Sequence, residues 1–268
     1  MKHLLTITAA AGIILAFATT SCDKAKEYVD NSIAFNTLSQ EKTYILKGSK
    51  TAYDVDSDLT YSCEARMLMP TALCGHNVDS LQDAILKVAF DTVATQHSQL
   101  IDSAFYNEAK AIGYTPVDTV MPVGNTDGTF IVEGDVASLS SKIMSYSITS
   151  SNYMPYAAHG MYETYYINYD LANGRIFTLF DLFTNEGLAV LPDTLAQVAK
   201  SMRNYIGPTE LTALPAKGNF YIDLRGDLIF VYQPYEIASY AQGIIEIPVP
   251  AYQLADFLTD YGRQLLMN

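Results

Sequence analysis

Residues Leu228–Tyr252, LIFVYQPYEIASYAQGIIEIPVPAY, constrain the fold more than any other stretch of the chain. Two runs rich in β-branched and aromatic residues, Leu228–Gln233 and Gly243–Ile247, flank a corner that opens at Pro234, and Pro248 and Pro250 close the second run. Runs of this composition bounded by turn residues read as strands. Tyr235, Glu236 and Tyr240 crowd the corner, a concentration too specific for a generic loop yet unlike any catalytic signature.

The rest of the chain alternates in the same style. Lys42–Lys47 and Leu59–Met69 read as strands, the second closed by Pro70. Asp79 begins a helix whose capping box is completed by Gln82, with Leu81, Ala84, Ile85, Val88 and Ala89 inward. A second helix, with Ile101, Ala104 and Phe105 inward, ends at Gly113. Tyr114–Gly128 is rich in Pro, Gly, Asp and Thr and marks a boundary between two halves. Strands follow at Ile143–Thr149 and Tyr162–Leu171. Asn173-Gly174 predicts a two-residue hairpin turn into a return strand, Arg175–Phe180. A helix near Asp193–Ile206, a strand at Phe220–Leu224 and a helix after Pro250, with Leu254, Phe257, Leu258, Tyr261 and Leu265 inward, complete the pattern. Strands in hairpins and helices in clusters predict an α+β fold. It consists of antiparallel sheet built from hairpins, helices packed on one face and two closely associated subdomains, 40–127 and 128–268.

The N-terminus has its own logic. Lys2 and His3 precede an apolar run, Leu4–Ala18, too short to span a bilayer, and Thr19, Thr20 and Ser21 lead into Cys22. This pattern reads as a signal peptide over 1–21, with Cys22 as a lipidated mature N-terminus and 22–39 as a tether. The alternative is ordinary signal cleavage with Cys22 a bystander. No later apolar run is long enough for a transmembrane helix, so the expected location is the cell envelope, anchored by lipid. Lys2 falls in the signal, which leaves 15 basic against 29 acidic residues and a mature net charge of −14. Such a surface repels nucleic acid and anionic lipid heads and favours a basic partner, if charge selects one. Cys63 and Cys74 form an even pair in an exported chain, either a disulfide or two thiols.

Candidate chemistry is sparse. Beyond the signal the histidines are His76, His97 and His159. None has helical i, i+4 ligand spacing, and no cysteine pair has zinc spacing, so neither a metal nor a cofactor is expected. A nucleophile elbow and a phosphate-binding loop are missing from the sequence. His159 is either an acid–base or ligand residue beside Glu236 and Asp170, or a histidine bonded to backbone where the chain turns. Glu236 is either a recognition group or a carboxylate that locks the corner through hydrogen bonds. Asp170 and Asp181 look like paired carboxylates for glycosidic chemistry, but the hairpin between them places them at its opposite ends. Tyr153, Tyr156, Tyr162, Tyr235 and Tyr240 lie near loops or strand ends and form a candidate recognition surface with His159 and Glu236.

SYSI at 145–148, AAHG at 157–160, YYINYDL at 165–171, TLFDLF at 178–183 and VYQPYEIASYAQG at 231–243 occur in that order. Together they resemble the C-terminal extracellular domain of RsiV-type anti-sigma factors, a domain of unknown function also found in PdaC-type peptidoglycan deacetylases and in envelope lipoproteins. Residues 40–140 look like the smaller companion domain that precedes it. The resemblance implies lysozyme as a ligand type, since the outer domain of RsiV-type proteins binds it. The sigma-binding segment, membrane helix and deacetylase domain of those relatives have no counterpart here, so their other activities do not carry over. One departure is Ser239, where the pattern has proline after the alanine of YEIA, which predicts a less rigid corner. The expectation is therefore a non-enzymatic, lipid-anchored binding protein for a lysozyme-type basic protein or cell-wall glycan. The alternatives are an envelope hydrolase or deacetylase-like enzyme using His159, Glu236 and Asp170, and a scaffold lipoprotein.

Overall fold

The alternation of β2 (Leu59–Leu73) decides where the core lies. Tyr61, Cys63, Ala65, Met67 and Met69 are buried on one face, while Glu64 and Arg66 occupy the other. The computed structural model describes residues 32–47, 59–91, 97–111, 115–119, 127–155, 157–203, 205, 207–208 and 210–267. The expected signal peptide over 1–21, Cys22 and Tyr156 lie outside the described residues, as does the expected tether up to Asn31.

With β1 (Ile33–Lys47), β3 (Thr115–Thr119), β4 (Gly128–Leu139), β5 (Ile143–Tyr153), β6 (Met161–Asp170) and β7 (Arg175–Phe177), β2 forms a seven-stranded sheet ordered β3-β1-β2-β4-β5-β6-β7. Its apolar face is covered by two helices, α1 (Asp79–Phe90) and α2 (His97–Ala111). Beneath α1 lie Met67, Val132, Met144, Tyr146 and Ile148, and beneath α2 lie Tyr44, Tyr61 and Cys63. Each fully buried large apolar side chain stabilises the fold by about 1.5–3 kcal/mol relative to exposure.

A second sheet of three strands, β8 (Phe220–Ile222), β9 (Leu228–Tyr232) and β10 (Ile245–Val249), packs on part of the opposite face. Its outer side holds Leu228, Phe230, Tyr232, Ile247 and Val249 in a core with α4 (Asn185–Ser201), α3 (Leu179–Leu182) and α5 (Asp260–Met267). The fold is thus α+β, with helices outside both sheets.

Polar side chains join the two sheets. Asn168 donates to the Phe220 carbonyl at 2.9 Å, the Ser145 hydroxyl accepts from Ile222 N at 3.1 Å, and the Ser138 hydroxyl donates to the Ile222 carbonyl. The free edge of β8 is thereby satisfied by hydroxyl and amide groups of the large sheet. All three side chains are buried. An unpaired buried strand edge would cost about 1–3 kcal/mol per group.

Several expectations are corrected. Residues from Ile33 onward belong to β1, so the predicted tether 22–39 is too long at its C-terminal end. β2 continues through Pro70, because a bulge at Ala34/Phe35 absorbs a residue that cannot donate to a ladder. The pair β2–β4 is parallel, since α1, α2 and β3 fill the connection and return the chain to the starting end. This pairing carries one sheet across the boundary at 127/128, and β3 lies inside the stretch expected to mark that boundary. Gln82 does not close a capping box but donates to the Pro70 carbonyl at 2.7 Å. Val88 is 40 % exposed and Leu86 is buried in its place.

Further corrections fall in the second half. Asp170 pairs with Arg175 across a longer turn in which Gly174 alone adopts positive φ (+64°). The return strand stops at Phe177, because Thr178 and Asp181 form a capping box and start α3. α4 begins at Asn185, capped by Thr184 and running through Pro192. β10 tolerates Pro248 because it is an edge strand. The last helix is two pieces, a 3-10 segment Ala251–Phe257 and α5, divided where Leu258 bridges Phe183.

The disulfide is also corrected. Cys63 and Cys74 are not joined. Cys63 is in mid-β2 and Cys74 follows its end. The extended strand separates them by roughly 35 Å, against the roughly 4–7 Å between Cα atoms that a bridge requires. Burial, with Glu108 adding to it, pushes the Cys63 thiol far up, which makes it inert.

Candidate functional site

The corner after β9 is a tight turn held from several sides. Glu236 N donates to the Gln233 carbonyl at 3.0 Å, and Tyr235, third in the turn, has φ +68°. Proline second and positive φ third is the pattern of a type II turn, in which the third place normally goes to Gly or Asn. The Glu236 carboxylate accepts from Gln233 N at 2.7 Å and from Ala216 N at 2.6 Å. It clamps the turn to the neighbouring loop. Glu236 is therefore a locking carboxylate.

The Gln233 and Asn219 side chains complete the open edge of β6. Thr164 N donates to Gln233 Oε1 at 2.9 Å and Tyr166 N to Asn219 Oδ1 at 3.0 Å. The Thr164 carbonyl accepts from Gln233 Nε2 at 2.7 Å and Asn219 Nδ2 at 2.8 Å. Two amide side chains here replace the next strand.

This anchoring brings four aromatic side chains together. The rings of His159 and Tyr240 stack with centroids 4.2 Å apart. Tyr162 meets Tyr240 edge-on at 5.9 Å, and Tyr235 lies 5.6 Å from Tyr240. His159 Nδ1 is 2.9 Å from the Gly160 carbonyl. A carbonyl can only accept, so in the neutral ring Nδ1 carries the proton. Nε2 is left to accept from the Tyr235 hydroxyl at 3.4 Å. Gly243 makes room for Tyr162, since a Cβ there would stand 2.9 Å from its hydroxyl. Tyr235 remains 56 % exposed and His159 is exposed beside it. Tyr153, also exposed, ends β5 at the same end of the sheet and donates to the Ala157 carbonyl at 3.0 Å.

From this cluster the uncovered part of the large sheet extends toward β1. Residues directly opposite in a ladder share a face, so one row runs Tyr162, Ser151, Ile131, Glu64, Glu41 and the next runs Thr164, Thr149, Glu133, Arg66, Ser39. Asp135 and Ser147 pair beside them. The face therefore offers hydroxyls and carboxylates. Arg66, the cation in these rows, is paired with Glu64. Glu41 and Glu64 oppose one another directly, an arrangement that costs stability.

Asp170 lies elsewhere. It is buried at the far end of β6, a strand that begins at Met161. The extended length of that strand sets the two ends roughly 30 Å apart. The Asp170 carboxylate accepts from Ala172 N at 2.9 Å, Asn173 N at 3.0 Å, Asn173 Nδ2 at 2.7 Å and the Tyr261 hydroxyl at 2.9 Å. Burial pushes its pKa up, but these hydrogen bonds together outweigh burial and hold it below the usual carboxylate value. Arg175 lies 4.2 Å over the Tyr261 ring and 3.4 Å from Asp181. Asp170 and Asp181 therefore gather around Arg175 and Tyr261 at the α5 junction, not at opposite ends of the hairpin, and each is held there by structural partners. A recess of about 270 Å³ adjoins Asp170, lined also by Lys142, Asn173, Tyr261 and Gln264.

The trio His159, Glu236 and Asp170 does not converge. His76 is also structural, its Nε2 3.1 Å from the Leu171 carbonyl and its ring against Gly174. His97 begins α2. No cluster of three metal-ligating side chains occurs among the described residues, and no helix among them is long and apolar enough to cross a membrane. The carboxylates Glu41, Glu64, Glu133 and Asp135 were not singled out from sequence. Their alternation with apolar neighbours was the available signal, but their shared face depends on a parallel pairing invisible in the chain.

Residues 181–252 match the family described as "Protein of unknown function (DUF3298)". This segment includes the aromatic corner and all of β8–β10. A crystal structure of a DUF3298-family member from Bacteroides fragilis is similar in fold, with TM-score 0.64 and 19 % identity over 87 % of this chain and 96 % of that one. A DUF3298-family protein from Pseudomonas aeruginosa is similar at TM-score 0.50 and 14 % identity, over 85 % and 95 %. No curated protein matches the chain.

Proposed function

We propose that the chain is a non-enzymatic binding module of the cell envelope, anchored by lipid on Cys22. Its ligand sits on the aromatic corner and the acidic sheet face, and is a basic protein of the lysozyme type. The observation that carries this is the row Tyr162, Ser151, Ile131, Glu64 and Glu41, which runs from the ring cluster to carboxylates on one surface. Ring faces and carboxylates both attract guanidinium and ammonium groups. The mature charge of −14 would steer a cationic protein toward the surface. The resemblance to the outer domain of RsiV-type proteins supports the same ligand type, and its VYQPYEIASYAQG motif is the corner itself. His159, Glu236 and Asp170 give no basis for an enzyme, because the first stands among tyrosines, the second locks a turn and the third is saturated with donors.

Calorimetry of the soluble fragment from Asp23 onward with hen-type lysozyme, at two salt concentrations, tests the proposal. Saturable binding that weakens at the higher salt is expected. Absence of heat at high micromolar protein overturns it, and peptidoglycan fragments that bind in its place move the ligand to the glycan class.

A further inference from the structure

The large sheet has two ends, and the chain uses them differently. At one end lie Ser32 and the start of β1, the end of β2, the β4–β5 turn and the β6–β7 turn. Cys74 N donates to the Ser32 carbonyl at 2.8 Å, Leu171 N to the Lys142 carbonyl at 2.8 Å, and His76 rests on Gly174. At the other end lie the starts of β4 and β6 and the end of β5, with Tyr153, His159 and Tyr162. The register of β4, β5 and β6 keeps these ends apart by the full length of β6. For an extended strand of that length the separation is roughly 30 Å.

We infer that the aromatic corner is the membrane-distal pole of the anchored molecule, and that its partner is a component held beyond the lipid headgroups rather than a lipid. The inference rests on the anchoring at Cys22 proposed above. Cys22 precedes Ser32 by ten residues, a stretch that spans at most about 35 Å fully extended. β1 begins beside the end of β2, so the chain enters the described fold at the pole opposite Tyr235 and Tyr240. The acidic rows Glu41–Glu64 and Glu133–Asp135 oppose a collapse of the open face onto anionic headgroups, since like charges repel at short range. A ligand on the corner is then reached from the envelope space without displacing lipid.

The test uses the full lipidated chain in phosphatidylethanolamine/phosphatidylglycerol vesicles. A donor dye on native Cys74, beside Ser32, is compared with a donor on Tyr153→Cys in a Cys74→Ser background, with an acceptor on the lipid headgroups. Energy transfer from position 153 is expected to be roughly threefold weaker, given the ~30 Å of strand between the poles. Equal transfer, or stronger transfer from position 153, overturns the inference. Failure of the chain to partition with vesicles removes the anchor itself, which is read separately from the partition step. Should the Cys74→Ser background not fold, the wild-type chain serves. Its affinity for hen-type lysozyme must be the same on vesicles as in the soluble fragment, and loss of binding on vesicles overturns the inference.

Discussion

Gln233 and Thr164 exchange two hydrogen bonds, Thr164 N to Gln233 Oε1 at 2.9 Å and Gln233 Nε2 to the Thr164 carbonyl at 2.7 Å. A side-chain amide thus stands in for a strand, and it fixes the aromatic corner to β6, which carries Tyr162. Replacing Gln233 by Ala leaves Thr164 N without its partner inside the fold and removes one of the two donors to its carbonyl. The expected cost is about 2–4 kcal/mol. Urea unfolding measures it, and a loss below about 0.5 kcal/mol, the level of an ordinary surface substitution, would refute the pairing.

Tyr235 should be dispensable for folding. Its φ is +68°, which is unfavourable for a side chain bearing Cβ. More than half of its surface is exposed, so Tyr235→Gly relieves strain while losing only the contacts to His159 and Tyr240. Stability is expected to change by no more than about 1 kcal/mol. Lysozyme affinity in the same variant should fall about tenfold, a loss typical of an exposed aromatic anchor. Glu236→Ala should do the reverse on stability, costing about 2–3 kcal/mol because it removes a charged acceptor from two backbone N–H groups.

Acid should loosen the α5 junction through Asp170. Its pKa is depressed in the fold. Its contribution is therefore fully present above the unfolded value of about 3.9 and is lost as pH falls through the folded value. Asp170→Asn turns an amide NH₂ toward donors that the carboxylate satisfied. A cost of about 1–3 kcal/mol at pH 7 is expected, shrinking at about pH 3, where the unfolded chain already binds the proton that the fold disfavours. Urea titrations at the two pH values measure it, and a cost that stays constant contradicts the assignment.

The strand runs were legible because aromatic and β-branched residues alternate cleanly at 143–149 and 162–171. Strand order was not. The parallel pairing of β2 with β4 depends on a connection through α1, α2 and β3, which no local pattern announces. Asn168, Ser145, Asn219 and Gln233 read as surface residues by type, yet they are buried where they satisfy strand edges of the two sheets. The α3 start was readable in Thr178-x-x-Asp181 but was hidden by the apolar run around it. At the site, sequence grouped Tyr162, Tyr235, Tyr240 and His159 in one candidate recognition surface from their places near loops and strand ends, with no sign of what holds them together. The hydrogen bonds from Gln233 and Asn219 to β6 bring them together, and those pairings span more than fifty residues of chain.

Ser239 marks the one place where the corner departs from the motif it resembles, and its geometry predicts what the missing proline would do. Its φ is −67°, within the range proline imposes. No backbone acceptor among the described residues takes its N–H, and the side chain is exposed. Ser239→Pro therefore loses no hydrogen bond in the fold and reduces the freedom of the unfolded chain. A gain of about 0.4–1 kcal/mol is expected, measured as a rise in the urea midpoint at unchanged slope. Because Tyr240 follows directly and stacks on His159, the same variant should hold the ring cluster more rigidly and bind lysozyme at least as tightly as the wild type. A destabilised Ser239→Pro variant would show that the bend between Ala238 and Tyr240 differs from the one described.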